Sequence, residues 1–366
     1  MRDVTAVTFI TPDLANNSLG RTYSLWLLAR HLGWHTRVYS TVGESLWLPV
    51  RETEFAMDTR RASVAEIARD PFVSRSDIIV AVKPLYSSFG VARVVAGRIG
   101  RPLLLDIDDP DIDAHLNFQR PLRAIAREVR HPVRQRRIRA LARLLPIPST
   151  IVSNPALQDR YGGAVVPHAR AEIPAGAPHV SSSPRVAFVG TNRVHKGVPV
   201  LRRAIEQLSH LGFELVVTDV APRDARPWEQ WLGQTDFRTG LELVRNADVV
   251  AIPSLDGPYS RGQLPAKLID AMLAARAIVA SDFPPVAWAI GEAGVLVEPG
   301  SDEALVRALL HFRAPVTRAS SGRLAREAAL RRFTVPVLAA DFERACRGAI
   351  ENHFCAVSRD QGGSSV

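Results

Sequence analysis

The stretch VAFVGTNRVHKGVPVLRRAI (186–205) decides the fold of this chain. Its apolar start predicts a buried strand that ends at Gly190, and the apolar spacing after Gly197 predicts a helix. Glycine allows the chain to turn sharply, and the N–H groups at the start of a helix attract phosphate. Arg193 and Lys196 would add two positive charges there. The stretch therefore predicts an α/β domain with an anion site at the carboxyl end of a strand.

A second stretch, ADVVAIPSLDGPYSRGQLPAKLIDAMLAARAIVASD (247–282), repeats this design. A strand ends at Ser254, a polar loop follows, and Pro265 suits the first turn of a helix. On that helix, Lys267 and Asp270 are spaced i and i+3, so they lie on neighbouring positions. Two interpretations remain open. The carboxylate of Asp270 accepts hydrogen bonds from a ribose diol, or it forms an ordinary surface ion pair with Lys267.

The alternation of strand and helix extends in both directions from these stretches. Strand-like runs in the first half are VTAVTFIT (4–11), HTRVYS (35–40), SDIIVAV (76–82), RPLLLDI (101–107) and STIVSN (149–154). The second half adds RVAFVG (185–190), FELVVTD (213–219), ADVVAIPS (247–254), RAIVAS (276–281) and GVLVEP (294–299). Such alternation favours two doubly wound domains with parallel sheets.

The domain boundaries follow from composition. We expect a first domain over 1–167, a proline- and serine-rich linker over 168–184, and a second domain over 185–334. The last residues, 358–366, have the composition of a disordered tail. Because ligands bind beyond the carboxyl ends of parallel strands, the sequence predicts a site in a cleft between the two domains.

The composition of the 366 residues is globular, with 46% apolar and 23% charged residues. This excludes disordered and fibrous classes. No apolar run is long enough to span a membrane, and the N-terminus shows no leader, so we expect a cytoplasmic protein. Cys346 and Cys355 have neither metal-site nor disulfide spacing. Only Lys83, Lys196 and Lys267 are lysines among 46 basic residues. Either these positions need a compact ammonium or they are remnants of a composition bias.

The net charge of +9 is concentrated between Arg120 and Arg143, where nine arginines accompany one acid, Glu128. Apolar residues at helical spacing indicate one or two basic amphipathic helices. One interpretation is a solvated helical face. The other is peripheral binding to anionic lipid on the inner face of the membrane, or to an acidic acceptor. Nucleic acid is an unlikely partner because no aromatic residues or recognition motif accompany the charge.

Together the two stretches resemble the C-terminal domain of retaining GT-B glycosyltransferases, especially family four, the glycosyl transferases group 1. The resemblance is specific over about 185–312 and consistent over 151–169. The matching positions are Gly190, Lys196–Gly197, Pro253–Ser254, Ala271–Met272, Ile278–Val279, Ser281–Asp282 and the segment 294–309. It implies the GT-B fold, two Rossmann-like domains facing a cleft, with a C-terminal helix over 335–353 that packs back on the first domain.

The resemblance also implies roles for individual residues. The diphosphate lysine of the family falls on Lys196, and its arginine falls on Thr191, with Arg193 as a replacement. Of the two family glutamates, the second falls on Asp270 and the first on Gly262, so that Asp256 or Gln263 would contact the sugar instead. The donor-binding residues predicted in this way are Gly20, Gly190, Thr191, Lys196, Asp256, Gly262, Gln263, Leu264, Lys267 and Asp270.

The first half contributes the acidic segment LLLDIDDPDID (103–113). Asp108 stands where related enzymes often have a histidine, and we predict Asp108 and Asp109 as catalytic residues beside Lys196 and Arg193. Lys83 at a strand end and His115 are predicted acceptor or cleft residues. The D-x-D spellings are also the metal signature of the GT-A glycosyltransferases, but the second half is not expected in that fold. We therefore predict no metal.

The implied function is transfer of a sugar from a nucleotide-diphosphate sugar to an acceptor hydroxyl, with retention at the anomeric carbon. The nucleotide sugar is the co-substrate, and no other cofactor is expected. The acceptor would be a glycan, a lipid-linked sugar or a small molecule. Two alternatives stay open. One is a sugar-nucleotide epimerase or hydrolase of the same fold, and the other is a non-catalytic nucleotide-sugar-binding partner protein. The altered positions Thr191 and Gly262 favour the latter.

Overall fold

The chain folds into two compact units in a computed structural model that describes residues 4–116 and 131–362, with side chains as far as Ser358. The first unit contains the residues up to Ala169 together with those from Val335 onward, and the second contains Arg170–Thr334. Each unit is built on one parallel sheet with helices, so the predicted α/β fold class is confirmed.

The sheet of the first unit has seven parallel strands in the order β3-β2-β1-β4-β5-β6-β7. The strands are β1 (Ala6–Ile10), β2 (His35–Ser40), β3 (Thr59–Arg61), β4 (Ile78–Val82), β5 (Leu103–Ile107), β6 (Thr150–Val152) and β7 (Ala164–Val165). All five residues of β4 are buried, as expected for a central strand covered on both faces. The sequence did not predict β3 and β7, which are short edge strands.

The sheet of the second unit has six parallel strands in the order β10-β9-β8-β11-β12-β13. The strands are β8 (Arg185–Phe188), β9 (Glu214–Val217), β10 (Glu229–Trp231), β11 (Val249–Ile252), β12 (Ala277–Ser281) and β13 (Val295–Val297). The strand order reverses between β8 and β11. The loops that follow these two strands are therefore the expected position for a ligand.

Helices connect the strands of both sheets. The described α-helices of the first unit are α1 (Leu19–His31), α2 (Phe55–Asp58), α3 (Val64–Arg69), α4 (Pro71–Arg75), α5 (Val91–Ile99), α6 (Asp111–Leu116), α7 (Pro132–Ala142) and α8 (Pro155–Tyr161). Those that follow are α9 (Val198–Leu208), α10 (Phe237–Arg245), α11 (Ala266–Leu273), α12 (Pro284–Ile290), α13 (Asp302–His311), α14 (Pro315–Arg332) and α15 (Val335–Gly362).

Helix α15 belongs to the first unit although it follows the second in the chain. Its residues Leu338 and Phe342 lie in the same apolar core as Phe9 and Val80. The helix extends to Gly362, so the described part of the predicted tail, 358–362, is helical rather than disordered. Residues 358–361 contain neither proline nor glycine, so their composition does not interrupt the helix.

The predicted linker has no regular structure over 171–184, but from Arg170 onward it belongs to the second unit. The Gly176 N–H donates to the carbonyl oxygen of Ala274 at 2.8 Å, and the Ala177 N–H donates to that of Arg245 at 3.0 Å. A Cβ at Gly176 would lie 2.1 Å from the Arg245 carbonyl oxygen, so only glycine allows this close approach.

The basic segment Arg120–Arg143 lies partly outside the described residues. Its described part forms α7, where Gln135, Ile138 and Leu141 are buried while most of the arginines are exposed. No described helix combines the length and the apolar character that crossing a membrane requires.

Candidate functional site

The loop after β8 carries the first predicted motif. Gly190 has φ = 129°, a conformation that favours glycine, and its N–H donates to Thr218 Oγ1 at 2.7 Å. A Cβ at Gly190 would lie 3.7 Å from Lys267 Nζ. The chain therefore leaves the sheet with its backbone next to the ammonium of Lys267.

Gly197 joins this loop to the loop that follows β11. It has φ = 73°, and a Cβ there would lie 1.8 Å from the carbonyl oxygen of Pro253. Nearby, the Leu255 N–H donates to the carbonyl oxygen of His195 at 2.8 Å. The lysine–glycine pair of the first motif thus packs directly on the proline–serine pair of the second. The structure brings together the two stretches that the sequence singled out.

Two ammonium groups lie at this junction. Lys196 Nζ donates to Gln263 Oε1 at 2.5 Å, and Lys267 Nζ lies 3.6 Å from the centre of the Phe188 ring. Lys267 forms no ion pair with a described carboxylate, so the predicted alternative of a pair with Asp270 is wrong. Burial and, second, the Lys196 ammonium hold the pKa of Lys267 well below its usual value.

Contact with the Phe188 ring offsets only part of the free-energy cost of burying the Lys267 ammonium. A cation–π contact is worth about 0.5–2 kcal/mol. Removing an ammonium from water costs several kcal/mol when no anion compensates. Lys267 is therefore a cation without a balancing charge among the described residues.

Asp270 has a different partner from the one that the helix spacing suggests. Its Oδ1 accepts from Arg170 Nε at 2.7 Å, and the two side chains are only 13% and 8% exposed. Among the described residues, Oδ2 of Asp270 makes no hydrogen bond. One carboxylate oxygen is thus committed to the protein and the other remains as an acceptor.

The remaining donor-side predictions fall around the loop after β11. Asp256 forms an exposed ion pair with Arg261 at 2.8 Å, so its carboxylate already has a partner. The N–H groups of Gly262 and Gln263 both donate to the carbonyl oxygen of Tyr259. Leu264 is buried in the core, which leaves its backbone rather than its side chain for a ligand.

Two more predicted residues lie on the loop after β8. Thr191 and Arg193 are both exposed. Arg193 is the residue that precedes the short 3-10 turn Val194–Lys196. The structure thus leaves these side chains at the surface of the loop that carries Lys196.

Lys83 directly follows β4 in the first unit and is surrounded by acidic residues. Its Nζ is 2.8 Å from Asp108 Oδ1, 2.6 Å from Asp109 Oδ2 and 3.1 Å from Asp111 Oδ2. Its φ of 68° is uncommon for a residue other than glycine, and its carbonyl oxygen accepts from Ser88 Oγ. Strained backbone of this kind concentrates at functional sites.

The acids of this cluster are strongly perturbed. Burial opposes the charge of Lys83, but the three carboxylates outweigh it and raise its pKa well above the usual value. Burial, together with Asp109 and Asp106, raises the pKa of Asp108 to about 8, against the effect of Lys83. Burial likewise raises the pKa of Asp111.

The three carboxylates lie within 4.8 Å of one another, as they would in a metal site. The ammonium of Lys83, however, is in contact with all of them and takes the position that a cation would need. Asp109, with a side chain 15% exposed, is the most accessible of the three.

The first unit contains a buried ion pair that the sequence did not predict. Arg21, on α1, binds Asp106 through Nε at 3.1 Å and Nη2 at 2.6 Å, and both side chains are fully buried. Its guanidinium also donates to the carbonyl oxygens of Val166 and Pro167. This bidentate pair joins the acidic segment to α1.

Gly20 and His115 are the remaining predicted residues of the first unit. Gly20 lies in the first turn of α1, and a Cβ there would come 3.3 Å from the Trp47 ring. His115 bonds through Nδ1 to the carbonyl oxygen of Asp111 at 2.6 Å and through Nε2 to Arg134 at 2.8 Å. Both ring nitrogens of His115 are therefore engaged by the protein.

Comparisons with known proteins support the resemblance. Residues 183–314 match the family described as glycosyl transferases group 1. Over this segment the chain is similar to that family. The prediction that the chain is an enzyme of the glycosyltransferase class is thereby confirmed. A comparison with curated protein sequences finds no match.

Solved structures share the architecture of the whole chain. Alr3699/HepE from Anabaena, in complex with UDP and glucose, is 16% identical, with a TM-score of 0.67 over 92% of this chain and 97% of its own. A glycosyltransferase from Rickettsia africae is 11% identical, with a TM-score of 0.64 over 96% and 100%. Sucrose-phosphate synthase from Thermosynechococcus elongatus is 14% identical, with a TM-score of 0.60 over 99% and 100%. At these identities the likeness establishes the GT-B fold.

Proposed function

We propose that this glycosyltransferase uses a nucleotide-diphosphate sugar and transfers the sugar to an acceptor hydroxyl with retention at the anomeric carbon. One observation carries the proposal. The ammonium of Lys267 lies beside the backbone of Gly190 at the carboxyl end of β8, and the ammonium of Lys196 is near enough to lower the pKa of Lys267. This is where a parallel sheet binds phosphate, and two cations there suit a diphosphate.

The same groups account for the chemistry. Departure of the nucleotide diphosphate develops negative charge on its β-phosphate, which Lys196 and Arg193 stabilise together with the N-terminus of α9. The acceptor hydroxyl attacks from the face that the diphosphate leaves, and a diphosphate oxygen takes its proton. The free oxygen of Asp270 accepts a hydrogen bond from the ribose. Asp108 or Asp109 of the first unit orients the acceptor.

We further propose that the reaction needs no divalent metal, because Lys83 supplies the cation that the acidic cluster requires. Turnover should then be unchanged after treatment with EDTA and after addition of Mg²⁺ or Mn²⁺. A loss of activity on chelation that Mg²⁺ restores would overturn this part of the proposal.

The experiment for the main proposal is a panel of nucleotide sugars screened by thermal shift, because a ligand that binds the folded state raises the melting temperature. Each hit is then incubated with glycan, lipid-linked and small-molecule acceptors. Sugar transfer with the donor's anomeric configuration, measured by NMR, is the expected result. Free sugar or an epimerised donor without an acceptor would indicate the hydrolase or epimerase. Binding without consumption of any sugar would indicate a non-catalytic protein.

The exposed arginines of α7 support a second, separate proposal, peripheral binding to anionic membranes from the cytoplasmic side. Arg136 is exposed on this helix, and Arg137 lies 4.3 Å from the centre of the exposed Tyr86 ring. Basic residues beside an exposed aromatic ring suit a lipid headgroup layer. Flotation with anionic vesicles at low salt should recover the protein, and exchange of Arg136 and Arg137 for glutamine should reduce recovery. Equal recovery with neutral vesicles would contradict an electrostatic attachment.

A further inference from the structure

We propose that Lys267 takes up a proton when the diphosphate of the donor binds and releases it when the nucleotide diphosphate leaves. The inference rests on the proposed donor site and adds a property to it. Donor binding would be a coupled event in which the protein gains a proton from solvent together with the ligand. Lys267 would then be a positioning residue whose charge is supplied only when it is needed.

The surroundings of Lys267 carry this inference. Its Nζ faces the Phe188 ring at 3.6 Å on one side and the backbone of Gly190 on another. Among the described residues Lys267 Nζ donates no hydrogen bond, so its main polar contact is the weak π face of Phe188. The nearest charged group that acts on it is Lys196, which has the same sign.

The acidic groups of the neighbouring elements are committed elsewhere. On its own helix, Asp270 binds Arg170. On the loop after β11, Asp256 binds Arg261, and the uncharged Gln263 accepts a hydrogen bond from Lys196. The charged form of Lys267 is therefore disfavoured in the free protein, in agreement with its lowered pKa.

A diphosphate reverses this balance. Its negative charges lie between the two ammonium groups, so they attract both and remove the penalty that one ammonium imposes on the other. Lys267 then has a higher proton affinity in the complex than in the free protein. Linkage requires that a proton enters as the ligand binds and that binding weakens as the pH rises.

Isothermal titration calorimetry measures this directly. UDP is titrated at pH 8.5 in two buffers of different ionisation enthalpy, because its terminal phosphate is then essentially fully ionised and cannot supply the signal. Inorganic pyrophosphate still carries a proton at this pH and serves only as a probe of binding. The expected result is uptake of up to about one proton per bound ligand, and a dissociation constant that rises by up to about tenfold per pH unit over the pH range in which Lys267 titrates.

The matched control is Lys267→Arg, because a guanidinium keeps its charge at every pH used. This variant should bind the same probes with no proton uptake assigned to position 267. Lys267→Met should bind more weakly and also without that uptake. The two variants together separate the titration of Lys267 from that of Lys196, which both retain.

The outcomes distinguish the inference from the function on which it rests. Binding of UDP by the wild type without proton uptake overturns the inference and leaves the donor site in place. Uptake that persists unchanged in Lys267→Arg assigns the proton to another group and also overturns it. Failure of UDP, pyrophosphate and the nucleotide-sugar panel to bind at all overturns the proposed donor site and the inference with it.

Discussion

Lys83 directly follows strand β4 in the first unit, Lys267 lies in the first turn of helix α11 in the second, and their surroundings are opposite. Lys83 contacts three carboxylates and is held in its charged form. Lys267 faces an aromatic ring, a glycine backbone and a second ammonium, and its charged form is disfavoured. The first lysine has its anions within the protein, whereas the second has none among the described residues.

The same side chain therefore stabilises the fold in one environment and is available to bind an anion in the other. A cation with internal partners stabilises the fold and is not free for a ligand. A cation without partners costs stability in the free protein and gains it back from an incoming anion. An unbalanced charge of this kind identifies a binding site more specifically than the residue type does.

The largest expected effect on stability comes from replacing Lys83, whose charge is balanced by carboxylates. Lys83→Met leaves Asp109 and Asp111 buried without a counter-charge, which should lower the free energy of unfolding of the first unit by about 3–5 kcal/mol. Urea denaturation measures it. The control is Arg261→Met, which breaks the exposed pair with Asp256 and should cost less than about 1 kcal/mol. Equal losses in the two variants would remove the distinction between a buried cluster and a surface pair.

The second effect concerns turnover rather than stability. Lys196→Ala should lower kcat by roughly 10²-fold or more, because it removes a cation from the diphosphate as negative charge develops. Its melting temperature should stay close to that of the wild type, since Lys196 is not part of the core. Near-wild-type turnover in steady-state kinetics would exclude Lys196 from the mechanism.

The third effect is a pH dependence of the stability of the first unit, caused by Asp108 of the acidic cluster. The pKa of Asp108 is raised from 3.8 to about 8, so between these values the folded protein binds more protons than the unfolded chain. Stability from this group is therefore lost as the pH rises through that window. Between pH 5 and pH 8, Asp108→Asn should lose less stability than the wild type, by at least about 1.4 kcal/mol. Parallel denaturation curves would mean that Lys83 keeps Asp108 ionised.

The smallest effect has the opposite sign to the first. Lys267→Met replaces an unbalanced cation by an apolar side chain of similar length, and we expect it to raise the free energy of unfolding of the second unit by about 1 kcal/mol. The same change that destabilises the protein at position 83 would thus stabilise it at position 267. A destabilisation of Lys267→Met similar to that of Lys83→Met would show that the two lysines are alike.

The sequence predicted the features that depend on local pattern. Ten strand segments were recognisable from apolar runs, and Gly190 and Gly197 were recognisable as turn residues. The short edge strands β3, β7 and β10 were not, because segments of two or three residues carry no periodic signal. The same limit applies to the helical residues 358–362, whose composition resembles that of a disordered tail.

The sequence alone could not predict which charged residues form ion pairs, because these pairs join residues that are far apart in the chain. Asp270 pairs with Arg170, 100 positions away, rather than with Lys267 three positions away. Arg21 and Asp106 are 85 positions apart and meet only when α1 packs beside β5. Helix spacing states which side chains can meet on one helix, but the sheet and its crossovers decide which ones do.

The return of α15 to the first unit has a consequence for the order in which the protein is made. The core that contains Phe9 and Val80 also needs Phe342, which leaves the ribosome only after the whole second unit has been synthesised. The second unit is continuous in sequence and has all its strands available before that moment. During translation the first unit therefore begins to form before the second but completes its core after it, so part of its apolar surface stays uncovered while the second unit is made.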